Sequence, residues 1–107
     1  MVAFLQAPRG SATMPYFAIH CIDKPDSGDL RAATRAAHLP HLAALGDALL
    51  VAGPLLKDDG RAMGTLMIAE FEDRDAAIAF AAADPYHLAG LFASRSITAW
   101  HKVFPAA

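Results

Sequence analysis

The sequence predicts an α+β protein of the ferredoxin-like type, with a βαββαβ antiparallel sheet and both helices on one face. Short aromatic and β-branched segments alternate with alanine- and leucine-rich segments of helical period. An Asp-Gly hairpin signal lies between two apolar segments in the middle of the chain. Two halves of βαβ type joined by a hairpin are the arrangement that this fold uses.

The first half supplies one strand and one helix. Residues 15–22 are aromatic and β-branched and predict a strand, and residues 23–28 form a loop rich in helix breakers. Residues 29–46 have a helical apolar stripe. Pro40 lies inside this helix, where proline removes one backbone hydrogen bond and clashes with the carbonyl four residues back. We therefore expect a kink or a restart within residues 36–40.

The central hairpin comes next. Residues 48–56 predict a buried strand that is broken at Gly53-Pro54. Residues 57–61 contain the turn, and residues 63–71 form the returning strand.

The second half repeats the helix and strand. Asp73 is placed to cap a helix over residues 74–83, which is almost pure alanine. A short turn begins at Pro85 and ends at Gly90, and residues 96–104 supply the last strand.

Composition limits the class of protein. The chain has 107 residues and a formal net charge of −2, so it forms one domain and lacks the excess of positive charge that nucleic-acid binding requires. No apolar run approaches the roughly 20 residues that span a bilayer. The lone Cys21 excludes an intrachain disulfide and favours the cytoplasm. Residues 1–13 show no sustained period and are interpreted as an N-terminal extension without function, preceding a domain over residues 14–107.

Both faces of the predicted sheet are apolar. In the first strand Phe17 and Ile19 oppose Tyr16 and Ile22, and His20 is the one strongly polar side chain. The two helices cover only one face, so the other requires a partner. We expect a twofold homodimer through the open sheet face, of the dimeric α/β-barrel type. The alternative is that loops or the N-terminal extension cover this face.

The candidate site consists of His38 and Asp84. His38 is one of few polar side chains in an apolar helical segment, and Asp84 precedes a proline where one helix ends and the next turn begins. Backbone geometry fixes a capping carboxylate at such a position. A histidine and an aspartate in apolar surroundings are the minimal set for proton transfer near neutral pH.

Short segments along the chain resemble the YciI-like (YCII-related) family. The matching segments, in order, are Asp23-Lys24, Arg31, Arg35, His38-Leu39, Ala52-Gly53-Pro54, Gly64-Thr65, Ile68-Ala69-Glu70-Phe71, Ala76-Ala77, Ala83-Asp84-Pro85-Tyr86 and Val103-Phe104. The resemblance implies a ferredoxin-like dimer with a histidine–aspartate centre in a pocket. The family's histidine falls on His38 and its aspartate on Asp84. Most members have no assigned reaction, so the resemblance implies a site rather than a substrate.

These residues predict a cofactor-independent enzyme that uses general acid/base chemistry on a small molecule, of hydrolase, lyase or dehalogenase type. His38 is the expected base and Asp84 its partner. Arg35 is a candidate for holding an anionic group. The Gly53-Pro54 step lets the backbone approach a ligand, and Tyr86 offers a ring and a hydroxyl.

Other interpretations stay open at this stage. His38 is also explained as a structural histidine, and Asp84 as an N-cap alone. His38 and His41 have a spacing that suits a metal, although Pro40 disturbs it and no larger metal motif is present, so no metal and no cofactor are expected. A non-catalytic dimer that binds a metabolite is the alternative function, and a monooxygenase is suggested by architecture alone.

Overall fold

The computed structural model describes residues 14–106, so the predicted N-terminal extension of residues 1–13 lies outside the described part of the chain. The elements in chain order are β1 (Tyr16–Asp23), α1 (Gly28–Ala43), β2 (Leu49–Leu56), β3 (Ala62–Glu70), α2 (Arg74–Ala82), α3 (Pro85–Leu88) and β4 (Phe92–Trp100). A 3₁₀ turn over Gly46–Ala48 joins α1 to β2. Across residues 14–106, no helix has both the length and the apolar character that a membrane crossing needs.

The four strands form one antiparallel sheet in the order β2-β3-β1-β4, which confirms the predicted ferredoxin-like fold. Phe17, Ile19 and Cys21 of the central strand β1 point toward the helices and are buried. They form the core with Met67 and Ala69 of β3, and with residues of α1 and α2. The helices therefore cover one face of the sheet, as the sequence predicts.

Strand β2 differs from its prediction because it is an edge strand. It is continuous from Leu49 to Leu56, and most of its residues are exposed. Pro54 lies within it, opposite Thr65 of β3. An edge strand pairs on one side only, so it tolerates the missing N–H of a proline. The prediction of a buried, broken strand was wrong because it rested on the apolar run, whereas Pro54 within that run favours an edge strand.

Two other boundaries differ from the prediction. Helix α1 continues through Pro40 without a restart and ends at Ala43, because Pro40 falls in its last turn. Strand β4 begins at Phe92 instead of residue 96 and ends at Trp100. Phe92 already pairs with Asp23 of β1, so tertiary pairing extends the strand into a polar segment that shows no strand period.

The second face of the sheet carries an apolar surface that we call the open face: Tyr16, Ala18, Ile22, Val51, Leu55, Leu66, Ile68 and Trp100. These side chains alternate along each strand with those that contact the helices. Val51 is 51% exposed, and the others named are partly buried. The same face also carries His20 and, in β4, Ser94, Ser96 and Thr98, so it is apolar mainly along β1, β2 and β3.

Candidate functional site

His38 and Asp84 lie side by side in the interior. His38 Nδ1 lies 2.9 Å from Asp84 Oδ1, which is hydrogen-bond distance. The two residues are 4% and 7% exposed. Helix α1 carries the histidine and the start of α3 carries the aspartate, and these two helices pack against one another. The fold therefore joins two residues that are 46 positions apart in the sequence.

The carboxylate of Asp84 is held by the local backbone. Asp84 is the N-cap of α3, with extended φ and ψ angles, and Pro85 begins the helix. Its Oδ1 accepts a hydrogen bond from the backbone N–H of Tyr86 at 2.9 Å. This is the capping geometry expected from an Asp-Pro pair, and it leaves the carboxylate little freedom to rotate away from His38.

These contacts define which nitrogen of His38 carries the proton. Because Asp84 Oδ1 accepts from a backbone N–H, this oxygen is an acceptor, and Nδ1 of His38 must donate to it. In the neutral imidazole, Nε2 is then the acceptor. No described residue supplies a hydrogen bond to Nε2. The arrangement therefore presents a basic nitrogen with its tautomer fixed.

Tyr86 forms the floor of the site. Its ring stacks on the His38 ring with centroids 3.9 Å apart and an angle of 17° between the planes. The guanidinium of Arg31 lies 4.7 Å from the centroid of the same tyrosine ring. Burial raises the pKa of the Tyr86 hydroxyl, although Arg31 and Arg35 act in the opposite direction. The hydroxyl is therefore protonated at neutral pH and able to donate a hydrogen bond.

Arg31 anchors a polar network that the sequence does not predict. Its guanidinium donates to both carboxylate oxygens of Asp23, at 2.7 and 3.2 Å, and to Thr65 Oγ1 at 2.8 Å. Burial acts to lower the pKa of Arg31, but the hydrogen bond and charge of Asp23 outweigh it and the pKa is raised. Asp23 and Arg31 belong to segments that resemble the family, but their pairing depends on how α1 docks on the sheet.

A cavity of about 200 Å³ lies in front of the histidine. It brings together most of the residues predicted for the site: Arg35, His38, Gly53, Pro54 and Tyr86. Asp84 does not line it and lies behind His38. Arg31, Leu39, Leu42, Ala52 and Thr65 complete the wall. All but Leu42 belong to segments that resemble the family, but they were not predicted as site residues. The His38 cavity is thus formed by α1, the edge strand β2 and the start of α3.

The residues around the site do not resemble a metal centre. His41 Nε2 lies 2.9 Å from the backbone oxygen of Phe80, and its ring stacks on that phenylalanine, so it does not share a ligand position with His38. Within residues 14–106, no three histidine, cysteine, aspartate or glutamate side chains lie close enough to hold an ion.

Cys21 is not a nucleophile at this site. The residue is 3% exposed, and burial, followed by the negative charge of Asp84, raises the pKa of its thiol to about 11. The thiolate is the reactive form, so a thiol with this pKa stays protonated and inert near neutral pH. Acid/base chemistry at His38 is therefore the reaction type that these side chains support best.

The chain is similar to proteins of one family. The YCII-related domain profile matches residues 15–101. Protein YciI of Escherichia coli O6:H1 is 43% identical over 96 residues, covering 82% of this chain and 98% of that protein. An uncharacterized protein of Haemophilus influenzae is 36% identical over 97 residues, covering 83% of this chain and 99% of that protein.

Solved structures give the same relationship at the level of the fold. The 5-chloro-2-hydroxyhydroquinone dehydrochlorinase TftG of Burkholderia phenoliruptrix, solved in complex with 2,5-dihydroxybenzoquinone, superposes with a TM-score of 0.75. It is 35% identical, over 80% of this chain and 93% of TftG. A protein of Nitrosomonas europaea that is described as an antibiotic biosynthesis monooxygenase superposes with a TM-score of 0.52. It is 17% identical, over 88% of this chain and 94% of that protein. This second likeness concerns the fold alone.

The fold, the buried His38–Asp84 pair and the sequence similarity all point to the same family. The chain belongs to the YCII-related domain family.

Proposed function

We propose that this protein is a cofactor-independent enzyme in which His38 and Asp84 catalyse proton transfer on a small oxygenated ring. The observation that carries the proposal is the 2.9 Å contact between His38 Nδ1 and Asp84 Oδ1 in a buried site that opens on a cavity. Asp84 fixes the tautomer and stabilises the imidazolium that forms when Nε2 accepts a proton. Such assistance typically accelerates a reaction by about 10²–10⁴-fold.

The likeness to TftG suggests the class of reaction. That protein is named as a dehydrochlorinase of a chlorinated hydroxyhydroquinone. Applied to this chain, His38 would take the proton of one ring hydroxyl and return it to the carbon that bears chlorine, which gives a ketone. Loss of a second hydroxyl proton would then expel chloride. The ring loses HCl and becomes a hydroxybenzoquinone, so no oxidant or reductant is consumed.

The walls of the His38 cavity suit such a substrate. Tyr86 supplies a flat ring and a protonated hydroxyl, and the Gly53-Pro54 step of β2 allows a ring to approach the backbone. Arg35 is exposed and makes no hydrogen bond or ion pair with the rest of residues 14–106. It is therefore available to hold an anionic group of the ligand.

The test is chloride release from 5-chloro-2-hydroxyhydroquinone under anaerobic conditions, which suppress spontaneous oxidation of the ring. We expect release above the uncatalysed background by the protein as it stands. His38→Gln keeps a polar side chain of similar size but removes the basic nitrogen, so the rate should fall by about 10²–10⁴-fold. His101→Gln, which changes an exposed histidine beyond the end of β4, should leave the rate unchanged.

Two results would contradict the proposal. One is chloride release no faster than background by the unchanged protein, and the other is equal rates for His38→Gln and the unchanged protein. If 2,5-dihydroxybenzoquinone still binds in the first case, the protein is the metabolite-binding module that the sequence leaves as the alternative.

We also propose that the protein is a homodimer in which the open face of one copy covers that of the other. The support is the apolar surface of β1, β2 and β3, together with Trp100 of β4, on the side away from the helices. Surfaces of this kind mark interfaces, because leaving them in water is unfavourable.

The lone, buried Cys21 fits the cytoplasmic location expected from the sequence.

Replacing Val51 by Glu should convert the dimer to a monomer, because it places a charge within an apolar interface. Light scattering coupled to gel filtration measures the mass directly. Leu88→Glu is the matched control, since Leu88 is also apolar and exposed, at 72%, but lies on α3, on the other side of the sheet. A dimer that survives Val51→Glu, or a monomer in the unchanged protein, would show that the open face is not the interface.

A further inference from the structure

A second, larger cavity adjoins the His38 cavity. It measures about 770 Å³ and lies between the loop that connects β1 to α1 and the hairpin that connects β2 to β3. We call it the basic groove. Its walls carry five basic side chains: Lys24, Arg31, Arg35, Lys57 and Arg61.

The charge of the basic groove contrasts with that of the whole chain. The chain has nine lysine and arginine residues against eleven aspartate and glutamate residues. Five of the nine basic residues line the groove, against two of the acidic ones, Asp23 and Asp26, which is a formal excess of three positive charges. An acidic protein that gathers its cations in one concave surface creates a local positive potential there, and such a potential attracts anions.

Three of these cations have no hydrogen-bonded or ion-paired partner within residues 14–106, although the charge of Lys57 also acts on Asp59. Arg31 is paired with Asp23, and Arg61 is paired with Asp59 at 2.9 Å. Lys24, Arg35 and Lys57 make no side-chain hydrogen bond or ion pair with any of the residues from 14 to 106. Arg35 offers a planar fork that matches carboxylate or phosphate oxygens, and the two lysines add point charges.

The two cavities are adjacent and share part of their walls. Arg31, Arg35, Pro54 and Tyr86 line both of them. The His38 cavity, at about 200 Å³, is smaller than ordinary ligand sites of about 300–1,000 Å³, whereas the groove lies within that range. A molecule confined to the His38 cavity would leave the groove, and the charges of Lys24 and Lys57, unused.

We infer that the ligand of this protein is elongated, with one end at His38 and a carboxylate or phosphate group held in the basic groove by Arg35, Lys57 and Lys24. The position of the first end rests on the proposed function, while the anion site rests on the groove alone. The substrate class is therefore an oxygenated ring that bears an anionic substituent on a short linker.

The experiment compares three probes by calorimetry in low salt: phenyl phosphate, benzoate and benzyl alcohol. All three carry one benzene ring, and only the first two carry a charge. We expect both anions to bind at least about tenfold more tightly than the alcohol, since each added charge-assisted contact is worth about that factor or more. The order of the two anions identifies the preferred group.

Single-site variants locate the anion site. Lys57→Gln and Arg35→Gln should each weaken binding of the preferred anion by about tenfold. Lys102→Gln removes an equal charge outside both cavities and should leave the affinity unchanged. If Lys57→Gln and Lys102→Gln weaken anion binding equally, the effect comes from the net charge of the protein, and the proposed anion site is wrong. Anions that bind no better than benzyl alcohol would also overturn it.

The proposed anion site and the proposed reaction can be tested independently of one another. Chloride release that depends on His38, together with no preference for anions, overturns the groove and leaves the reaction standing. Anion binding that depends on Lys57, together with chloride release that is indifferent to His38→Gln, overturns the reaction and leaves the groove standing.

Discussion

Replacing Asp84 by Asn is expected to lower kcat for chloride release by about 10²–10⁴-fold while leaving the protein folded. Asn is as good an N-cap as Asp, so the hydrogen bond from the N–H of Tyr86 is retained. What is lost is the negative charge 2.9 Å from His38 Nδ1, which stabilises the imidazolium as it forms. The measurement is kcat and KM beside the thermal unfolding midpoint.

Asp73→Asn is the matched control for this variant. Asp73 caps α2 as Asp84 caps α3, and its Oδ1 accepts from the N–H of Ala76 at 2.8 Å, but it lies outside both cavities. We expect kcat to be unchanged in Asp73→Asn. A similar loss of activity in both variants would mean that helix capping, and not charge at His38, accounts for the effect.

Cys21 reports the charge of Asp84 without any substrate. Burial is the first cause that raises the pKa of this thiol to about 11, and the negative charge of Asp84 is the second. Removing that charge in Asp84→Asn should lower the thiol pKa toward its ordinary value of 9.0, so the thiolate should appear at lower pH. Ultraviolet absorbance of the thiolate measures this shift. An unchanged titration would indicate that Asp84 carries no charge in the folded protein.

Replacing Arg31 by Ala is expected to lower the free energy of unfolding by about 1.5–3 kcal/mol, the usual worth of hydrogen bonds to a charged group. The side chain of Asp23 is 7% exposed, so its carboxylate would lose its partner at a partly buried position in the wall of the groove. Thr65 Oγ1 would lose its donor as well. Urea denaturation followed by circular dichroism measures the change.

Arg35→Ala is the control, one helical turn later in α1. Arg35 is exposed and forms no ion pair within residues 14–106, so its loss should change the free energy of unfolding by no more than about 0.5 kcal/mol. Equal effects of the two variants would show that the Arg31 network does not stabilise the fold. If Arg31→Ala is too unstable to purify, Arg31→Lys keeps the charge but not the two-point contact with Asp23, and should lie between the two.

Most of the fold was predictable because it follows from local chemistry. The period of the apolar residues, the Asp-Gly turn and the Asp73 cap are each set within a few residues, and the structure confirms the element order that they indicate. The wrong predictions concern features that depend on strand pairing. Strand β2 was predicted to be buried but lies at the edge of the sheet, and β4 begins at Phe92 because it pairs with β1. Neighbouring strands determine both features, and they are distant in the sequence.

The candidate site divides in the same way. His38 and Asp84 were identifiable as an isolated polar residue in an apolar helix and as an acid before a proline. Arg31, Asp23 and Thr65 were not identifiable as a network, because their contacts cross from α1 to β1 and β3. The basic groove is also a product of folding, since its cations come from the loop before α1, from α1 itself and from the hairpin between β2 and β3.

Turns, caps and apolar periods act over short distances, so the order of the elements and the two side chains proposed for proton transfer could be predicted from the sequence. The 2.9 Å contact between His38 Nδ1 and Asp84, the stacking of Tyr86 on the imidazole and the groove lined by Lys24, Arg35 and Lys57 arise only in the folded chain. These contacts depend on how α1 and α3 pack together and dock on the sheet, and burial of apolar surface drives that packing.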